Sequence, residues 1–262
     1  MQSPTQAWRD ALGAWALPEE IVNSAPESPW IHPPVLFDVP NVIAPSPSHL
    51  RAREVLTDGD TVLDVGCGGG IAAFALTPPA NHVIGVDHQP EMLAMFRANA
   101  IARALTCETV EGVWPNIAPD TPRANVVTAH HVVYNVADIG HFLLALDDHA
   151  KSRVVLEMPD RHPLASMTDA WRHFWNLERP HGPTPDDLLD VLWELGLTAR
   201  REQWRGEMRV EQDLAQAAHF MRIQLCLPAS REGEVLDFLE SHEQPTARSL
   251  STIWWDVTAR DE

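Results

Sequence analysis

The 262-residue chain contains little lysine, tyrosine or cysteine. Lysine and arginine together number 19, but Lys151 is the only lysine, and Tyr134 is the only tyrosine. The three cysteines lie far apart in the sequence and form no CxxC pair, so the sequence carries neither a zinc-binding nor a disulfide signature. The 13 histidines include no HExxH arrangement, and we therefore predict no metal site.

Long apolar runs and positive charge are also scarce. No apolar run approaches the length of about 18 residues that a membrane span needs, and the N-terminus lacks the basic start and apolar stretch of a secretory signal. The formal net charge is −18, which repels phosphate backbones and disfavours nucleic-acid partners. We therefore expect a cytoplasmic protein that acts on a small-molecule substrate, with neither a membrane nor a nucleic acid as partner.

The most informative segment is TVLDVGCGGGI, residues 61–71, an apolar strand that leads into a glycine-rich turn. Asp64 lies near the end of the strand, and three glycines follow at alternate positions, Gly66, Gly68 and Gly70. Glycine permits backbone conformations that other residues avoid, so a ligand can lie directly against main-chain N–H groups. The segment therefore predicts a site for a nucleotide-like ligand at a strand-to-helix turn.

A second segment, VIGVDHQPEML at residues 83–93, supports this prediction. It is another apolar strand ending in an acid, Asp87, which follows Asp64 by 23 residues. At about this spacing an acid on the next strand meets a ribose hydroxyl in a doubly wound sheet. The third glycine of a dinucleotide-binding GxGxxG motif is missing, because Ile71 stands in its place. Since a Tyr-x-x-x-Lys pair is also absent, the alternative of a nicotinamide-dependent oxidoreductase is disfavoured.

The two segments together, DxGxGxG followed by Asp-x-x-Pro-x-Met-Leu at Asp87, Pro90 and Met92, resemble the class I S-adenosylmethionine (SAM)-dependent methyltransferases of the small-molecule type. The resemblance in the order and spacing of elements extends over residues 48–197. It implies methyl transfer from SAM to a small-molecule acceptor, with S-adenosylhomocysteine (SAH) as product. No motif encodes whether oxygen, nitrogen or carbon is methylated, and a SAM-binding sensor or partner protein without catalytic activity is an alternative.

The pattern of elements predicts an α/β fold, a Rossmann-like, seven-stranded, mostly parallel sheet with helices on both faces. The strands are predicted at residues 61–65, 82–86, 106–110, 125–129, 152–158, 198–204 and 250–257. We expect a single domain, residues 1–262, which consists of an N-terminal cap (1–47), a SAM-binding core (48–206), a helical insertion (207–246) and the final strand (247–262). The cap either closes over cofactor and substrate or is a passive extension, and the insertion serves the substrate site, internal packing or a homodimer.

The resemblance also implies the cofactor contacts. The glycine turn holds the methionine part of SAM, Asp64 supports the turn and the cofactor amino group, and Asp87 accepts hydrogen bonds from both ribose hydroxyls. Many relatives carry an acid where Val113 stands, so here a backbone N–H of Val113 or Trp114 would bind adenine, with the Trp114 indole packed nearby. His88 either covers one face of adenine or points to solvent. The predicted cofactor-binding residues are Asp64, Gly66, Cys67, Gly68, Asp87, His88, Met92, Val113, Trp114 and His130.

The fourth predicted strand runs into TAHHVVYNVAD, residues 128–138. It lacks the Asn/Asp-Pro-Pro-aromatic sequence with which amino-methylating DNA enzymes grip a flipped base. Imidazole and phenol groups at the carboxyl end of a central strand suit acid–base work. We predict His131 and Tyr134 as catalytic residues, with His131 as a general base if the nucleophile keeps its proton; alternatively, the histidines merely hold the loop. Arg161 and His162 either pair with an acidic substrate group or belong to an ordinary surface loop.

Overall fold

A sheet of seven strands forms the centre of the computed structural model, which describes residues 2–30, 37–208, 213–242 and 245–257. The strands are β1 (Thr61–Val65), β2 (His82–Asp87), β3 (Thr106–Glu111), β4 (Ala124–His130), β5 (Ala150–Pro159), β6 (Arg200–Glu207) and β7 (Ala247–Asp256). Their order across the sheet is β3-β2-β1-β4-β5-β7-β6, and among the described strands β7 alone runs opposite to the other six. The predicted Rossmann-like, mostly parallel α/β fold is confirmed.

Helices flank the sheet on both sides. Within the described ranges the α-helices are α1 (Pro4–Gly13), α2 (Glu19–Ser24), α3 (Pro47–Arg53), α4 (Ile71–Phe74), α5 (Pro90–Ala102), α6 (Ile139–His149), α7 (Thr168–Trp175), α8 (Pro185–Glu194), α9 (Leu214–Gln224) and α10 (Glu232–Ser241). None of them is long and apolar enough to cross a membrane.

Local sequence sets where several of these helices begin. Ser46 caps α3, because its Oγ accepts a hydrogen bond from the His49 N–H while the Ser46 N–H donates to His49 Nδ1. Pro90 occupies the first turn of α5, where its missing N–H costs nothing. The sequence pattern predicts α4 from residue 69, but the helix begins at Ile71 because Gly70 takes a left-handed conformation with φ +98°.

Two apolar cores lie on opposite faces of the sheet. On one face α1, α6 and α8 contribute Trp8, Phe142 and Leu188. On the other face α4 and α5 contribute Phe74 and Phe96. Burial of each such side chain stabilises the fold by about 1.5–3 kcal/mol. With both faces covered, ligands have access at the carboxyl edge of the parallel strands, where β1, β2 and β4 end side by side.

A third apolar cluster joins α7 to the helices that precede β7. Trp171 of α7 packs there with Ala218 of α9 and Phe238 of α10. These two helices form the described part of the predicted insertion. The division into cap, core, insertion and final strand stays a proposal, and parts of it lie outside the described residues, namely Met1, 31–36, 209–212, 243–244 and 258–262.

Candidate active site

The glycine turn, residues 66–70, begins where β1 ends. Gly66, Gly68 and Gly70 all have positive φ, at +70°, +49° and +98°. The N–H groups of Gly66 and Cys67 both donate to the carbonyl of Val86, at 2.8 and 3.0 Å. These main-chain bonds tie the turn to the end of β2 and hold the left-handed backbone in place.

Gly66 and Gly68 differ in how much free space adjoins their main chain. A Cβ at Gly66 would lie 2.5 Å from Val132 Cγ2, so the loop after β4 already packs against that glycine. At Gly68 the nearest atom to such a Cβ is Phe37 Cδ1, at 3.9 Å. With respect to the described residues, Gly68 therefore presents an open face of main chain, and Phe37 lies close to the turn.

Asp87, at the end of β2, braces the turn. The Gly68 N–H donates to Asp87 Oδ2 at 3.1 Å, and the Gln89 N–H donates to Oδ1 at 3.0 Å. Each carboxylate oxygen keeps a second acceptor position, and the residue is 8% exposed. The neighbouring His88 has a ring that is 62% exposed and lies 3.5 Å from Asp87 Oδ1, so it is open to solvent.

Asp64 lies buried beneath the turn. The Thr128 hydroxyl donates to Asp64 Oδ1 at 2.9 Å, whereas Oδ2 is closed to solvent and has no hydrogen-bond partner among the described residues. Burial raises the pKa of Asp64 to about 7, and the nearby Asp87 charge acts in the same direction, against hydrogen bonds from Thr128 and the Ala73 backbone. An ammonium group placed against Oδ2 would pair with the ionised carboxylate.

Four further residues that the sequence assigns to the cofactor differ in accessibility. The Cys67 thiol packs beneath the turn, close against Gly85 of β2. A Cβ added at Gly85 would lie only 2.9 Å from Cys67 Sγ. Met92 is half-buried in α5. The Trp114 indole points into the core and donates to the Phe142 carbonyl at 3.3 Å, so it does not face the carboxyl edge. Val113 is 59% exposed, so it is open to solvent.

A row of polar side chains continues from this site across the sheet. Strand register sets His130 of β4 beside Glu157 of β5, and Glu157 beside Thr252 of β7. The start of α3 covers the row. His49 stacks on His130 with ring centroids 5.7 Å apart, and the Ser46 hydroxyl donates to Glu157 Oε2 at 3.3 Å. Burial lowers the pKa of His130 to about 3, so this imidazole is neutral at physiological pH.

His131 follows β4 in a left-handed conformation with φ +60°. Its backbone N–H donates to the Glu157 carbonyl at 2.7 Å, and its Nε2 lies 3.0 Å from Glu157 Oε1. Burial acts to raise the pKa of Glu157, but the hydrogen bond with His131 holds that pKa well below its usual range. The pair therefore consists of an ionised carboxylate and an imidazole whose Nε2–H it orients. The guanidinium of Arg248 approaches Nε2 from β7, with Nη2 at 3.5 Å.

Tyr134 joins this pair to a pocket of about 260 Å³. Its ring centroid is 6.5 Å from that of His131 and 5.6 Å from that of His162, which in turn stacks on Trp15 at 4.3 Å. Burial raises the pKa of Tyr134 to about 12 and lowers that of His162 to about 4, so both are neutral. The pocket is lined by Leu12, Trp15, Ala16, Trp30, Tyr134, Asn135, His162 and Leu164.

The structure thus brings the predicted catalytic residues His131 and Tyr134 together and adds three that sequence reasoning missed, Glu157, Arg248 and Trp15. An acid inside the apolar second half of the fifth strand was a usable signal for Glu157, because a buried carboxylate needs a partner. Nothing local in the sequence distinguishes Arg248 or Trp15. Within the described ranges, no group of three or more His, Cys, Asp or Glu side chains could hold a metal ion.

Comparison with known families agrees with this geometry. A family model described as a methyltransferase domain matches residues 41–202. The chain belongs to this family. Together with the seven-stranded sheet and the glycine turn, the match shows that the chain carries a class I SAM-dependent methyltransferase domain, whose cofactor is SAM.

Named relatives of this methyltransferase cover it only in part. It is 28% identical over 149 residues to the ubiquinone biosynthesis O-methyltransferase of Cereibacter sphaeroides, which covers 53% of this chain and 60% of that protein. Over 85 residues it is 33% identical to the protein of the same name from Azorhizobium caulinodans, with coverage of 32% and 34%. The chain therefore spans between about one third and three fifths of these curated relatives.

Solved structures show the same fold. The YcgJ protein of Bacillus subtilis aligns with a TM-score of 0.54 at 16% identity, over 82% of this chain and 99% of that chain. Three features of the methyltransferase site fit SAM: the open main chain at Gly68, the Asp87 carboxylate, and the unpartnered, buried Oδ2 of Asp64.

Proposed function

We propose that this methyltransferase transfers a methyl group from SAM to a hydroxyl of a small, largely apolar molecule. The observation that carries the proposal is the pocket beside Tyr134, on the loop that also carries His131, the partner of Glu157 in β5. That loop follows β4, which pairs directly with β1, the strand that leads into the glycine turn. An acceptor held there would lie at the carboxyl edge of the sheet, next to the cofactor.

The size and lining of the pocket indicate the class of acceptor. A volume of about 260 Å³ suits part or all of a small molecule and excludes a folded macromolecule. Trp15, Trp30 and Leu12 supply apolar surface, and the tyrosine and histidine of the lining are neutral. Such a surface favours an aromatic or aliphatic body over a highly charged one.

The His131–Glu157 pair supports oxygen as the methylated atom. A hydroxyl keeps its proton until it reacts and gains from a general base, whereas a neutral amine attacks without one. With Nε2–H directed at Glu157, Nδ1 is the basic nitrogen of His131. Nδ1 is closed to solvent and has no partner among the described residues, so an acceptor reaches it only when the side chains above it move.

When bound, SAM supplies an electrophilic methyl group on a positively charged sulfur. In this proposal the glycine turn and Asp87 hold the cofactor, and Asp64 pairs with its amino group. His131 takes the proton of the acceptor hydroxyl at Nδ1, and Glu157 stabilises the imidazolium that results. Most of the rate enhancement then comes from alignment of the reacting groups in a site that excludes water.

The test has two steps. Calorimetry of the purified protein with SAM, SAH and NAD measures cofactor choice, and we expect binding of the first two alone. A methyl-transfer screen then compares acceptors that share one aromatic ring and differ in the reacting group, as phenol, aniline or thiophenol. Preferred transfer to the phenol supports the proposal, and transfer to aniline alone overturns the choice of oxygen. SAM binding without transfer to any acceptor would favour the non-catalytic sensor.

Two further expectations belong to this proposal. We infer a cytoplasmic location, which subcellular fractionation tests. We also infer that the chain forms a homodimer through the face of α9 and α10 that does not pack on α7, and light scattering at several protein concentrations tests this. A monomer at all concentrations would contradict the second inference.

A further inference from the structure

Arg248 is a cation beside the His131–Glu157 pair, and among the described residues it has no carboxylate partner. It lies on β7, in register with Gly206 of β6, and its Nη2 is 3.5 Å from His131 Nε2. Its Nε is closed to solvent and has no hydrogen-bond partner among the described residues. Within the same residues, no Asp or Glu oxygen lies within 4.0 Å of its guanidinium nitrogens.

Other buried arginines are either paired with acids or packed on aromatic rings. Arg153 binds Glu54 and Asp256, and Arg222 binds Glu27 and Glu232. Arg179 has no acid partner among the described residues, but its guanidinium lies over the Trp15 and Trp171 rings and donates to the Trp15 carbonyl. Unpartnered burial of a cation is costly, and the chain has acids in excess, with a net charge of −18. Among the described residues Arg248 has neither an acid nor the face of an aromatic ring as partner, and it is therefore available to an anion from outside.

The nearest carboxylate in the site does not serve Arg248. Glu157 directs Oε1 to His131 Nε2 and Oε2 to the Ser46 hydroxyl. When Nε2–H of His131 donates to Glu157, the same nitrogen cannot accept a hydrogen bond from Arg248. The guanidinium therefore keeps N–H donors that no described side chain satisfies, directly beside the proposed base.

We propose that Arg248 binds a carboxylate of the acceptor, next to the hydroxyl that His131 deprotonates. The proposal rests on the proposed function and narrows it, because the substrate class becomes an apolar or aromatic hydroxy acid. A guanidinium fork matches the two oxygens of a carboxylate, which gives orientation as well as affinity. The apolar body of the acceptor would occupy the pocket beside Tyr134, whose lining offers no charge to the carboxylate.

The other basic groups near the site are less suited to this role. Arg161 is exposed on the loop after β5. His162 accepts the Leu164 N–H at Nδ1, stacks on Trp15 and is neutral, since burial lowers its pKa to about 4. The sequence-based alternative that Arg161 and His162 bind an acidic substrate group is therefore replaced by Arg248.

The experiment compares hydroxybenzoates with their methyl esters as probes, in matched pairs such as 3-hydroxybenzoate and methyl 3-hydroxybenzoate. Calorimetry of the SAH-loaded protein measures affinity without requiring turnover. We expect at least one acid to bind about tenfold or more tightly than its ester. In Arg248→Gln this preference falls to about onefold because the acid binds more weakly while the ester is unaffected. Arg248→Lys, which keeps the charge but not the fork, gives an intermediate ratio.

Arg205→Gln is the matched control. Arg205 is an exposed arginine on β6 in register with Ser249, so it lies on the opposite face of the sheet from Arg248. The Arg205→Gln variant removes one positive charge from the same region, and we expect it to keep the preference for the acid over the ester. If Arg248→Gln does not fold, the ratio of acid to ester affinity in the wild type and in Arg248→Lys still tests the proposal.

Equal binding of acid and ester in the wild type overturns the proposal, and so does a preference that persists in Arg248→Gln. Absence of binding by both members of every pair overturns it as well. Single-turnover methyl transfer separates this failure from failure of the proposed function. Methylation of the ester, or of neutral phenols in the wider screen, leaves the proposed function standing. Absence of methyl transfer to any hydroxyl overturns both the proposed function and the proposed role of Arg248.

Discussion

The glycine turn and the histidine loop, residues 131–136, lie at the ends of neighbouring strands but are held in different ways. The turn is fixed by main-chain bonds to β2 and by Asp87, all within about 20 residues of sequence. The histidine loop is fixed by side chains from distant segments, since His131 depends on Glu157 and Tyr134 packs near Trp15 through His162. A cofactor shared by a large family suits the first arrangement, whereas an acceptor particular to one protein suits the second.

This contrast predicts that substitutions in the two regions affect different measurements. Changes at the glycine turn should weaken SAM binding, whereas changes at the histidine loop should slow methyl transfer at nearly constant SAM affinity. A variant that changed SAM affinity and the methyl-transfer rate by the same factor would contradict this distinction between the two regions.

Gly68→Val should have the largest effect, a loss of SAM affinity of about 100-fold or more by calorimetry. A branched side chain at φ +49° would fill the open face on which a ligand lies. Gly196→Val is the control, because Gly196 has φ +77° and a Cβ there meets nothing within 4 Å. Both variants carry a left-handed backbone cost of about 1–2 kcal/mol in thermal unfolding. Equal SAM binding by the two would remove the turn from the cofactor site.

His131→Ala should reduce single-turnover methyl transfer by about 10²–10⁴-fold, the contribution typical of a general base. SAM affinity should change little. Because His131 has φ +60°, His131→Asn is the better-matched variant, since asparagine tolerates this conformation and lacks the base. If His131 only holds the loop, His131→Ala lowers the melting temperature and weakens binding and rate in proportion. Full activity of His131→Asn would leave alignment as the main source of catalysis.

Asp87→Ala should weaken SAM binding by about 10²-fold, since hydrogen bonds to a charged acceptor contribute about 1.5–3 kcal/mol each. The change also removes the bond from Gly68 N–H that braces the turn. Glu111→Ala is the control, an exposed acid at the end of β3 in register with Asp87. Calorimetry with SAM distinguishes them, and a loss of equal size in Glu111→Ala would point to net charge and not to a ribose contact.

Asp64→Asn should change the free energy of unfolding in the opposite direction, and raise it. Asp64 has a pKa of about 7 against an ordinary 3.8, so its stabilising protonated form is fully present below pH 3.8 and is lost as the pH rises through 7. The uncharged variant avoids this loss. At about 1.4 kcal/mol per pKa unit, we expect Asp64→Asn to be more stable than the wild type at pH 8 by up to about 4 kcal/mol.

Chemical denaturation at pH 4 and pH 8, without cofactor, checks this prediction. The difference between the two proteins should shrink at pH 4, where the wild-type carboxyl is protonated. SAM should stabilise the wild type more than Asp64→Asn, because only the carboxylate pairs with the cofactor amino group. If the variant were less stable than the wild type at pH 8, the Asp64 carboxylate would be ionised and fully hydrogen-bonded in the cofactor-free protein, contrary to this prediction.

The two regions also differ in how much of each could be predicted from the sequence. Period and spacing located all seven strands. The central strands, such as β1, β2 and β4, are buried on both faces and are therefore nearly continuous apolar runs between turn residues, whereas the edge strands β3 and β6 followed from the order and spacing of the elements. The glycines and Asp87 could be found because a strand-to-helix turn that contacts a ligand demands particular residues at fixed offsets. His131 and Tyr134 were accessible as well, since they follow the end of a central strand directly.

The tertiary structure alone decided what surrounds those residues. Strand order brings β7 beside β5, so Arg248 meets His131 across 117 positions of sequence. Packing of α1 sets Trp15 against His162, and the N-terminus of α3 closes over Glu157. The amino-acid sequence by itself determined the fold and the cofactor turn, because both follow from local backbone chemistry. The environment of the acceptor depends on side-chain contacts between remote segments, which form only once the chain has folded.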